Sequence, residues 1–267
     1  MSVVELQGVS KSFGRDVTAL EGIELKIEQG EFISLIGPSG CGKSTLLRIM
    51  GDLVEPSSGR VVVNGKTARQ ARIDREYGIV FQDAVLFDWR TVLRNISLPL
   101  ELSGWDRRRR KGRVREMLEL VELTGFGDHY PWQLSGGMQQ RVSIARALSF
   151  DPALLLMDEP FGALDEMTRE RLNLELLQIW ARSASTIVFV THSIAEAVFL
   201  STRVVVMSAR PGRISDVVSI DLPQPRTGLT REDPHFFELV TEVREALHLG
   251  SDGERGTAQA SAGDPAV

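Results

Sequence analysis

The sequence predicts an α/β fold in which a mainly parallel sheet is preceded by an antiparallel β region and interrupted by an inserted α-helical subdomain. Two observations carry this prediction. The first is the order of apolar strand, glycine-rich loop and helix across residues 32–50. The second is a series of further apolar runs that end in polar or charged side chains, as expected for buried parallel strands whose carboxyl ends meet at a ligand crevice.

The composition excludes several classes of protein but does not identify a function. The 267 residues include 31 lysines and arginines against 36 aspartates and glutamates, so the net charge does not indicate a nucleic-acid partner. The single cysteine, Cys41, rules out a disulfide within the chain and fits a reducing cytosol. No apolar run reaches the roughly 18–20 residues of a membrane helix, and residues 1–5 lack signal-peptide features. We expect the chain to be soluble by itself.

Residues 1–30 predict β structure. Residues 3–6 and 23–27 are strand-like, the second run with clean alternation of apolar and polar side chains. Phe13 lies between these two strands. An aromatic ring ahead of a phosphate loop can stack on a nucleotide base, whereas the residue type taken alone favours a place in the core.

Residues 37–45 match the P-loop pattern G-x-x-x-x-G-K-[ST], between a buried strand at 32–36 and a helix at 46–50. Backbone N–H groups of such a loop turn inward, and the helix N-terminus adds partial positive charge where a phosphate would lie. Lys43 can reach the β- and γ-phosphates, and the Ser44 hydroxyl can hold Mg²⁺. The core is therefore predicted to be that of a P-loop NTPase. The predicted nucleotide-binding residues of the loop are Gly37, Pro38, Ser39, Gly40, Cys41, Gly42, Lys43, Ser44 and Thr45.

Two more strands follow the loop. Residues 60–63 predict one strand, and the Asn-Gly pair at 64–65 predicts a hairpin turn. Residues 78–82 predict a buried strand that ends at Gln82. A glutamine at a strand end near phosphates can bind Mg²⁺ or water, although by itself it is an ordinary loop residue.

Residues from about 85 to 130 have a helical character. Apolar side chains at the i, i+3, i+4 and i+7 positions of one amphipathic helix are Val114, Met117, Leu118 and Val121. The basic run at 107–113 invites a nucleic-acid or lipid interpretation. We favour a solvated helix start, because glutamates follow directly and no aromatic platform for bases is interleaved.

A second candidate anion site begins at Ser135. Ser135, Gly136 and Gly137 open a helix that continues over residues 142–148, and such a helix start offers a side-chain cap and free backbone N–H groups. The P-loop already accounts for the phosphates of one nucleotide. The sequence therefore leaves open whose phosphate this second site would hold.

Residues 154–160 place four apolar side chains before two carboxylates. This pattern predicts a central parallel strand whose carboxyl end faces the ligand crevice. Asp158 is placed to bind Mg²⁺ through water, and Glu159 to orient and polarise an attacking water. The alternative is a pair of acids with a structural role alone.

The last part of the chain continues the same pattern. Asp165 is predicted to cap a long helix, and the apolar strand at 186–191 leads to His192, for which we favour a phosphate contact over packing. Residues 203–207 predict a strand and residues 214–220 a short edge.

We expect one domain over residues 1–249, with the helical subdomain at about 85–150 within it. The small and polar residues 250–267 are expected to be disordered.

Together these motifs resemble those of an ABC-transporter ATPase over residues 3–220, and the Ser-Gly-Gly signature is specific to that family. Its functional segments correspond to Walker A at 37–45, the Q-loop at Gln82, the signature at 134–139, Walker B at 154–159, the D-loop at 163–165, the switch histidine at His192 and the adenine-stacking aromatic at Phe13. The resemblance implies ATP and Mg²⁺ as cofactors, with catalysis by Lys43, Gln82, Glu159 and His192, and metal binding by Ser44, Gln82 and Asp158.

The family also implies partners. In a head-to-tail homodimer, Ser135 and Gly137 of one subunit would close over the nucleotide bound at Lys43 of the other. Dimer closure would drive a membrane permease through the helical region behind Gln82. The chain would lie peripherally at the cytoplasmic face of the inner membrane, a solute-binding protein would take part indirectly, and no nucleic acid would bind.

Weaker signals indicate the subfamily. Residues 86–92 and 206–214 are similar to those of importers of the nitrate, sulfonate, taurine or bicarbonate type. The chain departs from that pattern at Asp88, where proline is usual, and at Ser193, where aspartate is usual. Ser193 can still cap the next helix, whereas Asp88 leaves the solute subgroup open.

Three classes of alternative compete with an importer ATPase. A soluble P-loop kinase or GTPase would have no use for the helix start at Ser135. An ABC ATPase with a non-transport role is a second class, but its repair and chromosome members carry a long coiled coil and its translation-factor members two cassettes. A degenerate regulatory subunit is disfavoured because Lys43, Asp158, Glu159 and His192 are all present.

Overall fold

The computed structural model describes residues 2–14, 17–162, 164–183 and 185–252. The strands are Ser2–Phe13 (β1), Val17–Glu28 (β2), Phe32–Ile36 (β3), Ser58–Val63 (β4), Lys66–Thr67 (β5), Tyr77–Val80 (β6), Leu154–Asp158 (β7), Thr186–Val190 (β8), Arg203–Met207 (β9) and Ile214–Ser219 (β10). The helices are Lys43–Met50 (α1), Ala68–Ile73 (α2), Val92–Leu102 (α3), Arg107–Leu120 (α4), Gly136–Leu148 (α5), Glu166–Ser183 (α6), Ile194–Leu200 (α7) and Pro234–Asp252 (α8).

The larger sheet has the order β10-β9-β3-β8-β7-β6. Its strands pair in parallel except for β10, which is antiparallel to β9. Side chains alternate between two cores, so that Met157 and Phe189 face the helices of one layer while Leu156 and Val188 face α1 and the smaller sheet. Burial on both faces explains the continuous apolar runs of these strands, and the predicted α/β class with a mainly parallel sheet is confirmed.

The smaller sheet is antiparallel, with the order β2-β1-β4-β5. Its first two strands are longer than the sequence predicted, and several register shifts interrupt their pairing. The predicted hairpin joins β4 to β5, with positive φ angles of 50° at Asn64 and 74° at Gly65. Both central residues are thus left-handed, as the tight hairpin turn requires.

Helices α3, α4 and α5 form the inserted region between β6 and β7. The four apolar side chains predicted for α4 are all buried. Asp106 caps this helix by accepting hydrogen bonds from the backbone N–H groups of Arg108 and Arg109. Residues 107–109 are exposed at its start, which confirms the solvated helix start.

The C-terminal part of the described chain packs against α7. The buried Arg226 guanidinium donates to the carbonyl oxygens of Val198 at 3.3 Å and Phe199 at 2.8 Å, close to the C-terminus of that helix. Burial lowers the pKa of Arg226 to about 10, so its charge is retained at neutral pH.

Helix α8 continues to Asp252, beyond the predicted domain end at residue 249. The rest of the predicted disordered tail, residues 253–267, lies outside the described residues. None of the helices in the described ranges combines the length and the apolar composition needed to cross a membrane.

Candidate nucleotide-binding site

The P-loop joins β3 to α1, and its path requires glycine at Gly42. This residue has φ of +101°, and a Cβ atom there would lie 2.6 Å from Cδ2 of Leu20. Both the backbone conformation and the lack of space exclude a side chain. The loop therefore approaches β2 closely. It leads into α1 at Lys43, and the free N–H groups at the start of this helix can receive a phosphate.

The Lys43 ammonium is folded back over its own loop. Its Nζ atom donates to the carbonyl oxygens of Gly37 at 2.9 Å and Pro38 at 3.1 Å. It also lies 3.9 Å from Sγ of Cys41, whose side chain is buried. Burial raises the pKa of the Cys41 thiol, so Cys41 is a neutral packing group and Lys43 supplies the charge of the loop.

Ser44 and Asp158, predicted to lie together, are in contact. The Ser44 hydroxyl donates to Oδ1 of Asp158 at 2.7 Å, and Asp158 is only 5% exposed at the end of β7. Arg48 approaches the other carboxylate oxygen, with 3.6 Å between Nη2 and Oδ2. Arg48 is not among the predicted site residues, although it follows Ser44 by one turn of α1 and so shares its helix face.

Glu159 and His192 also come together, from the ends of β7 and β8. Oε2 of Glu159 lies 3.2 Å from Nδ1 of His192. Glu159 has a positive φ of 44°, and its backbone N–H donates to the carbonyl oxygen of Val190 at 3.0 Å. A left-handed conformation is uncommon for a residue other than glycine, and here it turns the carboxylate toward the histidine.

The turn that carries His192 is held by its neighbours. Thr191 Oγ1 accepts from the backbone N–H of Ser193 at 3.0 Å and shares a short hydrogen bond with Oε2 of Glu196. Ser193 caps α7 by accepting from the N–H of Glu196 at 3.3 Å, so the predicted cap is confirmed. Glu196 is 5% exposed, and burial raises the pKa of its carboxyl. The sequence analysis did not single out Glu196.

Gln82 lies beyond the strand rather than at its end. Strand β6 stops at Val80, so the predicted strand end at Gln82 is wrong. Since Val80 pairs with Met157 of β7, the two residues that follow bring Gln82 to the edge of the sheet where Glu159 lies. The glutamine is exposed, and no side-chain bond to the other candidate residues is found in the described part of the chain.

Phe13 lies at the end of β1 and is 47% exposed. The core position favoured by its residue type alone is therefore wrong. The Lys11 ammonium lies 5.1 Å from the centre of the ring. An exposed ring remains available for stacking on a base.

The signature residues line a different cavity. Ser135 caps α5 by accepting a hydrogen bond from the N–H of Met138 at 3.3 Å. The cavity in front of it measures 610 Å³ and is also lined by Asp165 and Arg171. Its lining includes no residue of 37–45. On one chain, the two predicted anion sites are thus separate.

Asp165 lies on the same cavity and begins α6. Its Oδ1 atom accepts from the backbone N–H of Thr168 at 3.0 Å, and this bond lowers the pKa of the Asp165 carboxyl. The predicted cap is confirmed. Ala163, the first residue of the predicted D-loop, lies outside the described residues.

A groove opens beside residues 85–89. It measures 330 Å³, and its lining includes Phe87, Leu98 and Phe150. Leu86 packs against the core, whereas Trp89 is 73% exposed and its ring centre lies 5.1 Å from that of Phe87. The apolar run after Gln82 is therefore partly packed and partly exposed.

Comparison with known proteins gives consistent results. The family model described as ABC transporter matches residues 20–162. An uncharacterised ABC transporter ATP-binding protein of Methanocaldococcus jannaschii is 50% identical, over 91% of this chain and 91% of the relative. The aliphatic sulfonates import ATP-binding protein SsuB of Bacillus cereus is 47% identical, over 92% of this chain and 96% of the relative. The taurine import ATP-binding protein TauB of Rhizobium johnstonii is 44% identical, over 90% and 93% respectively.

Solved structures share the fold. A dimeric ATP-binding cassette bound to ADP and Pi has a TM-score of 0.72 at 35% identity, over 81% of this chain and 98% of that one. CbiO1 of Clostridium perfringens, part of the ABC transporter complex CbiONQ, has a TM-score of 0.76 at 27% identity, over 93% and 97%. The chain therefore belongs to the ABC transporter family, as one of its ATP-hydrolysing subunits.

Proposed function

We propose that two copies of this chain hydrolyse ATP at shared sites and thereby energise the uptake of a sulfonate-like solute through a membrane permease. The observation that carries the proposal is the separation of two anion-binding helix starts on one chain. The P-loop stands beside Asp158, Glu159 and His192, while Ser135 faces a cavity of its own. A head-to-tail dimer completes each site with the signature of the other copy.

In the proposed site, the phosphates of ATP replace the loop carbonyls as partners of Lys43. The lysine then offsets charge on the transferred phosphoryl group. Glu159 orients the attacking water in line with the γ-phosphate. His192 is held by its bond to Glu159 and contacts the γ-phosphate, and Gln82 approaches the water and the phosphates from the next strand. Phe13 stacks on the adenine ring.

The oxygen donors near the P-loop fit Mg²⁺. Ser44 and Asp158 offer a hydroxyl and a nearly buried carboxylate at hydrogen-bond distance from each other, and Mg²⁺ is held by one or two carboxylates together with substrate phosphates. We assign the metal to Ser44, Asp158 and Gln82. When bound, the ion would neutralise charge on the β- and γ-phosphates.

The groove beside Phe87 is the proposed docking surface for the permease. Its lining is largely apolar and includes Phe87, whose ring packs against the exposed indole of Trp89. Exposed apolar surface of this kind marks interaction sites. Phe87, which lines the groove, follows Gln82 by five residues in the chain. Nucleotide state could therefore be transmitted from the phosphates to the permease through residues 82–89.

The names of the relatives favour the importer over an ABC ATPase with a non-transport role. SsuB is named for the import of aliphatic sulfonates and TauB for the import of taurine. We propose an organic sulfonate as the solute, ahead of nitrate or bicarbonate. The chain would act at the cytoplasmic face of the inner membrane, with a solute-binding protein delivering the solute to the permease.

The test is uptake by the assembled transporter. The chain would be purified with its cognate permease and reconstituted in liposomes with ATP inside. Taurine, an alkanesulfonate, nitrate and bicarbonate would be compared in the presence of the cognate binding protein. We expect ATP-dependent uptake of a sulfonate, lost in Lys43→Ala. Uptake of nitrate alone would contradict the solute assignment, and ATP hydrolysis without uptake of any solute would favour the non-transport role.

A further inference from the structure

The turn between β9 and β10 is built against the back of the P-loop. A Cβ atom on Gly212 would lie 1.9 Å from the carbonyl oxygen of Cys41, so only glycine allows this approach. Backbone bonds tie Gly212 to β2, with its N–H donating to Ala19 and its carbonyl accepting from Glu21, both at 3.0 Å. The turn is thus fixed to β2 and packed against the phosphate loop itself.

This turn places the side chain of Arg210 on Gly40. A Cβ atom on Gly40 would lie 3.0 Å from Nη2, 3.7 Å from Nε and 3.8 Å from Cζ of Arg210. The guanidinium therefore lies against the backbone of the loop. Arg210 is exposed, and no hydrogen bond or ion pair to it is found in the described part of the chain.

A neighbouring arginine on the same turn differs in this respect. Arg213 forms an ion pair with Glu21, with 2.8 Å between Nη2 and Oε2. Its charge is thus offset within the protein, whereas the charge of Arg210 is not. An arginine held beside an anion site without an acidic partner has its donors available for a phosphate, which it can contact through two N–H groups.

We propose that Arg210 is a second cation of the nucleotide site and contacts the phosphates of bound ATP. The inference rests on the proposed nucleotide site at residues 37–45. A positive charge within several ångströms of a polyphosphate in a partly solvated crevice changes affinity by about three- to tenfold. The contribution grows with the charge of the ligand, from AMP to ADP to ATP.

The experiment measures nucleotide affinity on the isolated full-length chain without Mg²⁺, where dimer formation does not contribute. A fluorescent ATP analogue would be displaced by ATP, ADP and AMP. The variants are Arg210→Gln, which keeps the packing of the stem, Arg210→Lys, and the matched control Arg213→Gln. We expect Arg210→Gln to weaken ATP binding about three- to tenfold, with a smaller loss for AMP, and Arg213→Gln to bind as wild type.

Three other results would each contradict the proposal in a different way. Unchanged ATP affinity in Arg210→Gln, while Lys43→Ala loses binding, removes Arg210 from the site and leaves the proposed function intact. An equal loss for AMP and ATP, or an equal loss in Arg213→Gln, shows an effect on loop stability rather than a phosphate contact. Unchanged affinity in Lys43→Ala contradicts the proposed nucleotide site itself.

Discussion

Nδ1 of His192 lies 3.2 Å from Oε2 of Glu159, and this contact links the ends of two neighbouring parallel strands. The carboxylate accepts the hydrogen bond when Nδ1 carries the proton, which leaves Nε2 pointing to other partners. Each side chain thus orients the other before a nucleotide binds. The pair concentrates the proposed water-orienting and phosphate-contacting groups in one place.

We expect Glu159→Gln to abolish turnover and to preserve ATP binding. The amide keeps the size of the side chain and can still contact His192, but it no longer polarises a water. The loss should exceed tenfold, which corresponds to ~1.4 kcal/mol in the activation free energy. Steady-state phosphate release and equilibrium ATP binding would be measured together. Turnover within tenfold of wild type would contradict the assignment of Glu159.

The same variant should form an ATP-dependent dimer. Hydrolysis no longer separates the copies, and each site needs Ser135 from the opposite chain. Light scattering at several protein concentrations should show a dimer with ATP and a monomer without it. Adding Ser135→Glu should prevent the dimer, since a carboxylate there repels the phosphates while retaining an acceptor for the helix cap. A dimer that persists with this second change would argue against the shared site.

Truncating the aromatic pair beside the groove should weaken permease binding. In Phe87→Ala with Trp89→Ala we expect a folded chain that binds ATP. Its affinity for the permease should fall by about 2 kcal/mol, roughly thirtyfold, as for aromatic anchors of interfaces. Co-purification and coupled ATPase activity would be measured. Trp132→Ala is the matched control, because Trp132 is about as exposed as Trp89 but stacks on Tyr130 and makes no contact with Phe87. Unfolding of the double variant would show that the pair stabilises the fold, and unchanged permease binding would place the docking surface elsewhere.

The buried carboxyl of Glu196 should make stability depend on pH. Burial is the main cause that raises the pKa of Glu196 in the folded chain above the ordinary value of a glutamate, and hydrogen bonds from Thr191 and Asn173 partly oppose this shift. Between the unfolded and the folded pKa values, the folded chain keeps a proton that the unfolded chain has released. The free energy of unfolding therefore falls as pH rises through this window. Glu196→Gln should flatten that part of the profile in denaturant titrations, and an unchanged slope would exclude Glu196 as its source.

Much of the fold could be predicted because its signals are local. Continuous apolar strands indicated a sheet buried on both faces, and caps such as Ser135 and Ser193 marked where helices begin. The placement of Asp158, Glu159 and His192 at one edge of the sheet also followed, because parallel strands bring their carboxyl ends together. The direct contact between Glu159 and His192 was not predicted.

Other features depend on contacts between distant segments. Phe13 is exposed although it is apolar, because β1 extends beyond the core and Phe13 is its last residue. The strand end at Val80, two residues before Gln82, depends on pairing with β7. The approach of Arg210 to Gly40 depends on how the β9–β10 turn packs against the loop. None of these contacts leaves a periodic pattern in the sequence.

The contact of Arg226 with α7 has a consequence for comparing transporters of different length. Its guanidinium satisfies carbonyl groups at one end of a helix whose other end begins two residues after His192. In a relative that ends before this arginine, other donors must satisfy the last carbonyl groups of the helix. Without them, the helix that follows the histidine would fray. Shortening the protein from its C-terminus past Arg226 is therefore also expected to disturb the helix that begins beside His192.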